Sequence, residues 1–467
     1  MAAIITAVPA GTQTLLGHPK GLFYLAFTEA WERFSYYGMV ALLVLYMVNQ
    51  LLLPGHVENI VGFTTFRSVV ESVAGPLTPI ALASQIFGLY TGFVYFTPML
   101  GGLIADRWIG QRNAVVIGAL SMSAGHLAMA YDQTFLFALL LLVVGSGLLK
   151  GNISAQVGAL YPLEDEARRT RGFAIFSMGI NFGAMVGPVL CGVLAAAYGW
   201  HYGFGAAAVF MVAGLATYLH GYRHLPARVE RSRAAIGLSS ADWRIIRALL
   251  IVMIITVFQS VAYYQLGNIL PVWIQQHVAL DVGVLAIPIP WYQSIDPLVS
   301  ILAVPLLFGI WRYQATRRGE PDDLGKIATG AWMAAASNLL LVFAIFSSGA
   351  ELIHPIWPVL YCAGLGVAFL YYWPTLLALV SSAAPASVNA TMMGVAFLSM
   401  FVSNMIIGWL GRFYEPMGPA NFWLMHVAIA AGGGILVLIL GGPLRRVFES
   451  AVKQPMRPAA MTLEVER

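Results

Sequence analysis

Apolar runs of about twenty residues, each ended by a short polar stretch, recur along the whole chain. As α-helix, that length crosses the hydrocarbon core of a bilayer. The pattern therefore predicts an all-α membrane protein that crosses the bilayer many times. Twelve spans are expected, at 21–49, 80–104, 113–131, 134–160, 171–197, 202–220, 246–270, 288–311, 326–348, 355–382, 388–414 and 421–441. Residues 50–79 form a long first loop, with or without a short surface helix.

Composition agrees. Of 467 residues, 59% are hydrophobic and 10% charged, against about 25% charged in an average soluble domain. So little charge does not cover a water-facing surface of this size. The 47 glycines and the 12% of aromatic residues suit close helix packing and membrane interfaces. The two cysteines, Cys191 and Cys362, lie in apolar runs and read as packing residues. With no metal-ligand spacing and no disulfide framework, no cofactor is expected. The net charge of +4 sits in loops and is not a nucleic-acid signal. The first nineteen residues lack a basic leader region and read as a short lead-in, not a cleaved signal.

The cations set the orientation. Of the 25 lysines and arginines, all but Arg67, Arg412, Arg33 and Lys150 fall on the side shared by the two termini. The positive-inside rule then makes both termini cytoplasmic. A span count off by one would scramble this bias. The longest loop on that side, 221–245, is basic and follows span six. The expected organisation is a six-helix bundle over 1–220, a cytoplasmic linker over 221–245, a second bundle over 246–441 and a tail over 442–467.

Charges inside spans are the informative exceptions. One at a helix centre costs about 2.5–3.5 kcal/mol on insertion scales and is expected to face a wet cavity. The stretch "TEAWERFSYYG", 28–38, places Glu29, Glu32, Arg33, Tyr36 and Tyr37 at helical spacing on one face of span one. The bland reading is a salt bridge that only locks that span; it is compatible with a cavity wall. Lys150, in "GLLKGNIS", is about 15 Å along a helix from the nearest basic loop. That is too deep to snorkel easily. His126 reads as the one histidine deep in a span, where hydrogen bonding to a neighbouring helix is the ordinary role.

Twelve spans in two halves resemble the major facilitator architecture, with a cavity near the midplane. The segment "GGLIADRWIGQRN", 101–113, resembles that superfamily's loop signature G-x-L-x-D-R-x-x-G-x-R. Asp106 and Arg107 would bridge helix ends and hold one conformation. The ordinary alternative is a chance acid–base pair in a short loop.

A narrower resemblance follows. "EAWERFSYYG" matches the E-x-x-E-R-F-x-Y-Y-G motif of the proton-coupled oligopeptide transporters. "VYFTPMLGGLIADRWIG", "GLLKGNIS", "FSMGINFGAMVGPVLCG" and "YQSIDPLVSILAVPLLFGIW" resemble segments of that family's second, fourth, fifth and eighth helices. The likeness runs from about 18 to 414. It implies proton-coupled symport of di- and tripeptides across the cell membrane, by a carrier that is expected to be monomeric. It implies proton coupling by Glu29, Glu32, Arg33 and Lys150. It implies substrate contacts by Arg33, Lys150, Tyr36, Tyr37, Tyr95 and Asn181.

The second half departs from the family pattern. Tyr264 stands where an acid usually precedes a glutamine, and Val40 where its arginine partner would be. Phe369 stands for the glutamate five residues before Pro374. Asp296 replaces an asparagine and is expected to supply the missing acid. The alternative is an aspartate capping a helix break before Pro297. Other small substrates (nitrate, an amino acid, a drug) remain open, as does, less favoured, a proton-channel or antiporter subunit. An enzyme is not expected, since no HExxH, G-x-S-x-G or Cys/His set is present.

Overall fold

A chain that crosses hydrocarbon must satisfy its backbone within the segment, which leaves helices. The computed structural model describes residues 14–162, 165–226, 238–283, 285–317, 319–385 and 387–452. Its first half contains α1 (Lys20–Tyr46), α2 (Phe63–Ala74), α3 (Pro79–Ile104), α4 (Gln111–Ala128), α5 (Phe135–Ala159), α6 (Glu166–Tyr198) and α7 (Trp200–Gly221). Its second contains α8 (Ser240–Tyr264), α9 (Ile269–His277), α10 (Ile295–Arg317), α11 (Asp323–Ser348), α12 (Ile356–Ala383), α13 (Asn389–Leu410), α14 (Tyr414–Met417) and α15 (Pro419–Val452). Residues 227–237 of the expected linker and the tail beyond 452 lie outside the described residues. So do Glu164, Arg228, Arg231, Arg233, Arg318, Lys453, Arg457 and Arg467, some of which entered the orientation argument.

Eleven helical segments among the described residues are long and apolar enough to cross a membrane. The twelfth expected span is α4. Gln111, Arg112, Asn113, Ser121, Ser123 and His126 dilute its hydropathy, and it packs between α5 and α7. The expected span at 246–270 is a broken element, with a non-helical link at residues 265–268 between α8 and α9. Hydropathy averages over such a break and does not register it. The first loop carries the amphipathic helix α2.

Within the first half, α1 packs on α6 and α7, α3 on α5, and α4 on α5 and α7. Within the second, α11 packs on α12 and α15, α8 on α13 and α15, and α10 on α12. The halves meet where α3 faces α13 and α6 faces α10. Small residues set the tightest approach. A Cβ on Gly179 of α6 would lie 2.7 Å from the Ala26 carbonyl of α1, and one on Gly187 2.5 Å from that of Phe34. This small-residue stripe lets the two backbones touch.

The end of α1 remote from Lys20 and the starts of α3 and α10 mark one face of the bundle, the far face. Toward it the halves are bonded together. Asn49 Nδ2 donates to Gln275 Oε1 at 3.1 Å, Thr91 Oγ1 to Asn404 Oδ1 at 2.8 Å, and Trp291 Nε1 to the Val189 carbonyl at 3.2 Å.

Candidate functional site

The stripe on α1 is buried as its spacing requires. Glu29 is 3% exposed, Glu32 0% and Arg33 8%. Arg33 Nε lies 2.8 Å from Glu29 Oε1 and 2.7 Å from Glu32 Oε2. Two carboxylates therefore share one guanidinium, and the turn carries a net negative charge when both are ionised. Glu29 Oε2 and Glu32 Oε1 have no hydrogen-bond partner among the described residues. A second positive charge, or a proton, is needed to balance them in a poorly solvated site.

Lys150 of α5 is the nearby cation, and it contacts rings. Its ammonium sits 4.3 Å from the ring centre of Tyr36 and 5.7 Å from that of Tyr95. Among the described residues it makes no ion pair within 4 Å. Ring faces attract an ammonium without neutralising it. Tyr36 and Tyr37 meet edge to face at 5.1 Å. Asn181 is half-buried on α6, two residues from both Gly179 and Gly183 and so on a different face of the helix from the stripe that touches α1.

In the facing part of the second half the chemistry changes. Tyr263 Oη donates to Asp296 Oδ2 at 2.6 Å. Asp296 Oδ1 is buried without a partner among the described residues. Gly366 of α12 makes room for it, since a Cβ there would lie 2.9 Å from Oδ1. The bond runs to another helix, and neither oxygen bonds a backbone N–H among the described residues, so capping does not describe this aspartate. Phe369 stacks on Tyr263 at 5.1 Å. The positions that lack the family's acids are thus filled by packed rings, and one carboxylate remains behind them.

The two sides are joined by phenols. Tyr264 Oη donates to Tyr95 Oη at 3.2 Å, beside the ring pair that holds Lys150. Tyr263 and Tyr264 were not expected as site residues. The adjacent tyrosines in "AYYQLGN" were the available signal, and only the missing acid was read from them. Tyr372, whose ring centre lies 6.5 Å from that of Tyr263, comes from a second such doublet, Tyr371–Tyr372.

Three further expectations meet the structure elsewhere. Asp106 is half-buried and Arg107 exposed, in a π-helical turn, Ala105–Ile109, that ends at Gly110. His126 is buried, yet neither ring nitrogen has a hydrogen-bond partner among the described residues, contrary to the role expected of it. Nor is it the one deep histidine. His426 in α15 is fully buried, with Nε2 2.9 Å from Gln265 Nε2. Its place near the start of the last apolar run disguised its depth.

The sequence matches the family model described as Major Facilitator Superfamily over residues 33–408. It is 28% identical to the peptide transporter YePEPT of Yersinia enterocolitica, covering 95% of this chain and 98% of that one. It is 29% identical to the uncharacterized transporter YclF of Bacillus subtilis, over 94% and 96% of the two chains. A di-/tripeptide transporter of Lactococcus lactis is 27% identical over 93% and 98%. Among solved structures, the peptide transporter POT in complex with sulfate aligns with a TM-score of 0.81 at 28% identity, covering 95% and 98%. A mutant of it with alafosfalin aligns equally well, over 94% and 97%. A fold shared over nearly the whole length, together with the family match, makes this chain a member of the Major Facilitator Superfamily and of its proton-coupled oligopeptide transporter (POT) family.

Proposed function

We propose that this protein is a proton-coupled symporter of di- and tripeptides that works by alternating access. The observation that carries the reading is the shared guanidinium of α1. Two buried carboxylates on one arginine, with an ammonium held by rings nearby, form a charge balance that an incoming carboxylate upsets. Relatives named as peptide and di-/tripeptide transporters, similar over nearly the whole chain, support the substrate class.

The chemistry follows from competition for cations. A peptide is an anion at one end and a cation at the other. Its carboxylate is drawn to Arg33 and Lys150, and its ammonium to Asp296. Tyr36, Tyr37, Tyr95 and Asn181 line the space between. When the peptide carboxylate takes Arg33, Glu29 or Glu32 loses its cation. An unpaired carboxylate in so poor a solvent takes up a proton instead of staying charged. The loaded, protonated cavity holds no unpaired charge, and the two six-helix bundles rock around it. Asp106 and Arg107, at the end of α3, help hold one of the two conformations. We place the carrier in the cell membrane with both termini cytoplasmic. The membrane potential then adds roughly 2.3 kcal/mol per charge per 100 mV.

The test is dialanine uptake by the purified protein in proteoliposomes under an imposed pH gradient. Accumulation above equilibrium that collapses with a protonophore is expected. Uptake that ignores the gradient overturns the symport reading. A second reading, transport of a different small solute, is favoured by one observation: Tyr264 and Phe369 stand where the family's acids are. Competition by nitrate or single amino acids, with none by dialanine, would replace the peptide reading with that one.

A further inference from the structure

The segment Tyr263–Asn268, the end of α8 and the non-helical link to α9, faces two ways. Its first residues meet the cavity, where Tyr263 holds Asp296 and Tyr264 reaches Tyr95. Its last residues enter a buried chain of uncharged polar groups. Asn268 Nδ2 lies 2.8 Å from Ser84 Oγ of α3, 3.2 Å from the Ile407 carbonyl of α13 and 3.2 Å from Gln265 Oε1. Gln265 Nε2 lies 2.9 Å from His426 Nε2, and His426 Nδ1 lies 2.9 Å from the Phe422 carbonyl. Ser84 Oγ is also 3.3 Å from the Ile407 and Gly408 carbonyls. Asn268, Gln265, His426 and Ser84 are all 0% exposed.

The direction of these bonds is forced. A carbonyl can only accept, so in the neutral imidazole His426 Nδ1 carries the hydrogen and Nε2 accepts from Gln265. Gln265 Oε1 is then left to accept from Asn268. Ser84 belongs to the first six spanning helices, and Asn268, Ile407 and Gly408 to the last six. The bonds to Ser84 therefore cross the seam that must part if the far face opens. At the same seam the backbones nearly touch: a Cβ on Gly88 of α3 would lie 2.7 Å from Gly408 Cα. At the two positions where the family resemblance leads one to expect an ion pair, this chain has Val40 and Tyr264.

We propose that the chain His426–Gln265–Asn268–Ser84 is the latch of the far face, and that the Tyr263–Asn268 link ties its release to occupancy of the cavity. Neutral bonds suit a latch. Each is worth little net, because water replaces the partner on opening, so the seam closes firmly by packing yet parts within a transport cycle. The non-helical link absorbs the displacement without unwinding α8 or α9. Pulling Tyr263 through Asp296 moves Gln265 and Asn268 a few residues away.

The coupling half of this proposal rests on the transport reading above; the latch half does not. Spin labels on Val61→Cys and Leu352→Cys, two exposed positions in far-face loops, report the separation of the halves in the full-length protein. The native cysteines are buried. A dominant short distance is expected without substrate. Asn268→Ala should lower the closed-to-open ratio about five- to ten-fold, as loss of one or two buried hydrogen bonds requires. Ser84→Ala should do the same, the double variant should add little, and Ser84→Thr should restore closure. If Asn268→Ala does not fold, the two serine variants decide. Unchanged distances in the single variants, or strictly additive effects, overturn the latch. Dialanine should shift the distribution in the parent but not in Tyr263→Phe; an equal shift in both overturns the coupling. Normal uptake with unchanged distances would sink the latch and leave the transport reading intact. Latched distances without peptide uptake would do the reverse.

Discussion

The two walls of the cavity solve one electrostatic problem in opposite ways. On α1, three ionisable groups lie within five residues, and two carboxylates share one guanidinium along a single helix face. On the opposite wall a single carboxylate, Asp296, has a tyrosine hydroxyl for a partner and rings for neighbours. The first arrangement carries a counter-charge for its acids on the same helix, whatever the other helices do, and lacks only one further charge or a proton. The second depends on α8 and α12 staying in place around α10, and its charge is complete only with a ligand or a proton. The difference suggests a division of labour, with proton handling on the self-contained wall and amine recognition on the dependent one.

The strongest way to break that contrast is to remove the shared cation. Arg33→Ala leaves two buried carboxylates facing each other. Removing one partner of a buried ion pair costs about 3–5 kcal/mol. Gradient-driven dialanine uptake should vanish and the melting temperature in detergent should fall. An unchanged melting temperature would mean that the α1 charges are hydrated and not mutually dependent.

Asp296→Asn should act on the opposite wall and on one end of the substrate only. Hydrogen bonds to charged groups contribute about 1.5–3 kcal/mol. Dialanine affinity should therefore fall roughly ten- to a hundred-fold, while N-acetyl-dialanine, which has no ammonium, binds the parent and the variant alike. Equal losses for both ligands would assign Asp296 a structural role. Unchanged dialanine affinity would remove it from the site altogether.

The same asymmetry governs what could be read from the sequence. Residues three and four apart on a helix share a face whatever surrounds them, so Glu29, Glu32, Arg33 and Tyr36 were legible as one stripe before any packing was known. Lys150 was legible as a buried cation but not in its seat between two rings, because that seat depends on how α1, α3 and α5 meet. Asp296 stood out as a departure from a familiar pattern. Its hydroxyl partner did not, since Tyr263 lies on a different helix and a tyrosine in an apolar run carries no signal of its own. The break at residues 265–268 was invisible for a related reason: Leu266 and Gly267 keep the run apolar, and a hydropathy window sees composition, not backbone path.

The finest test of the contrast uses the two adjacent tyrosines. Tyr263→Phe deletes one hydroxyl and keeps the ring that stacks on Phe369. Asp296 Oδ2 then loses its donor while its neighbours stay packed, so an approaching ammonium meets a carboxylate with more lone-pair capacity but a less certain orientation. A net bond of about 1 kcal/mol corresponds to roughly a five-fold change in dialanine affinity. Because the donor steadies the carboxylate, we expect that change to be a loss. Tyr264→Phe removes the hydroxyl that meets Tyr95 and leaves Asp296 untouched. Its effect should fall on the turnover rate and spare affinity, because that bond joins the two halves. If the two variants give the same affinity and the same rate, the neighbouring hydroxyls share one role, and the wall around Asp296 is less specialised than its geometry implies.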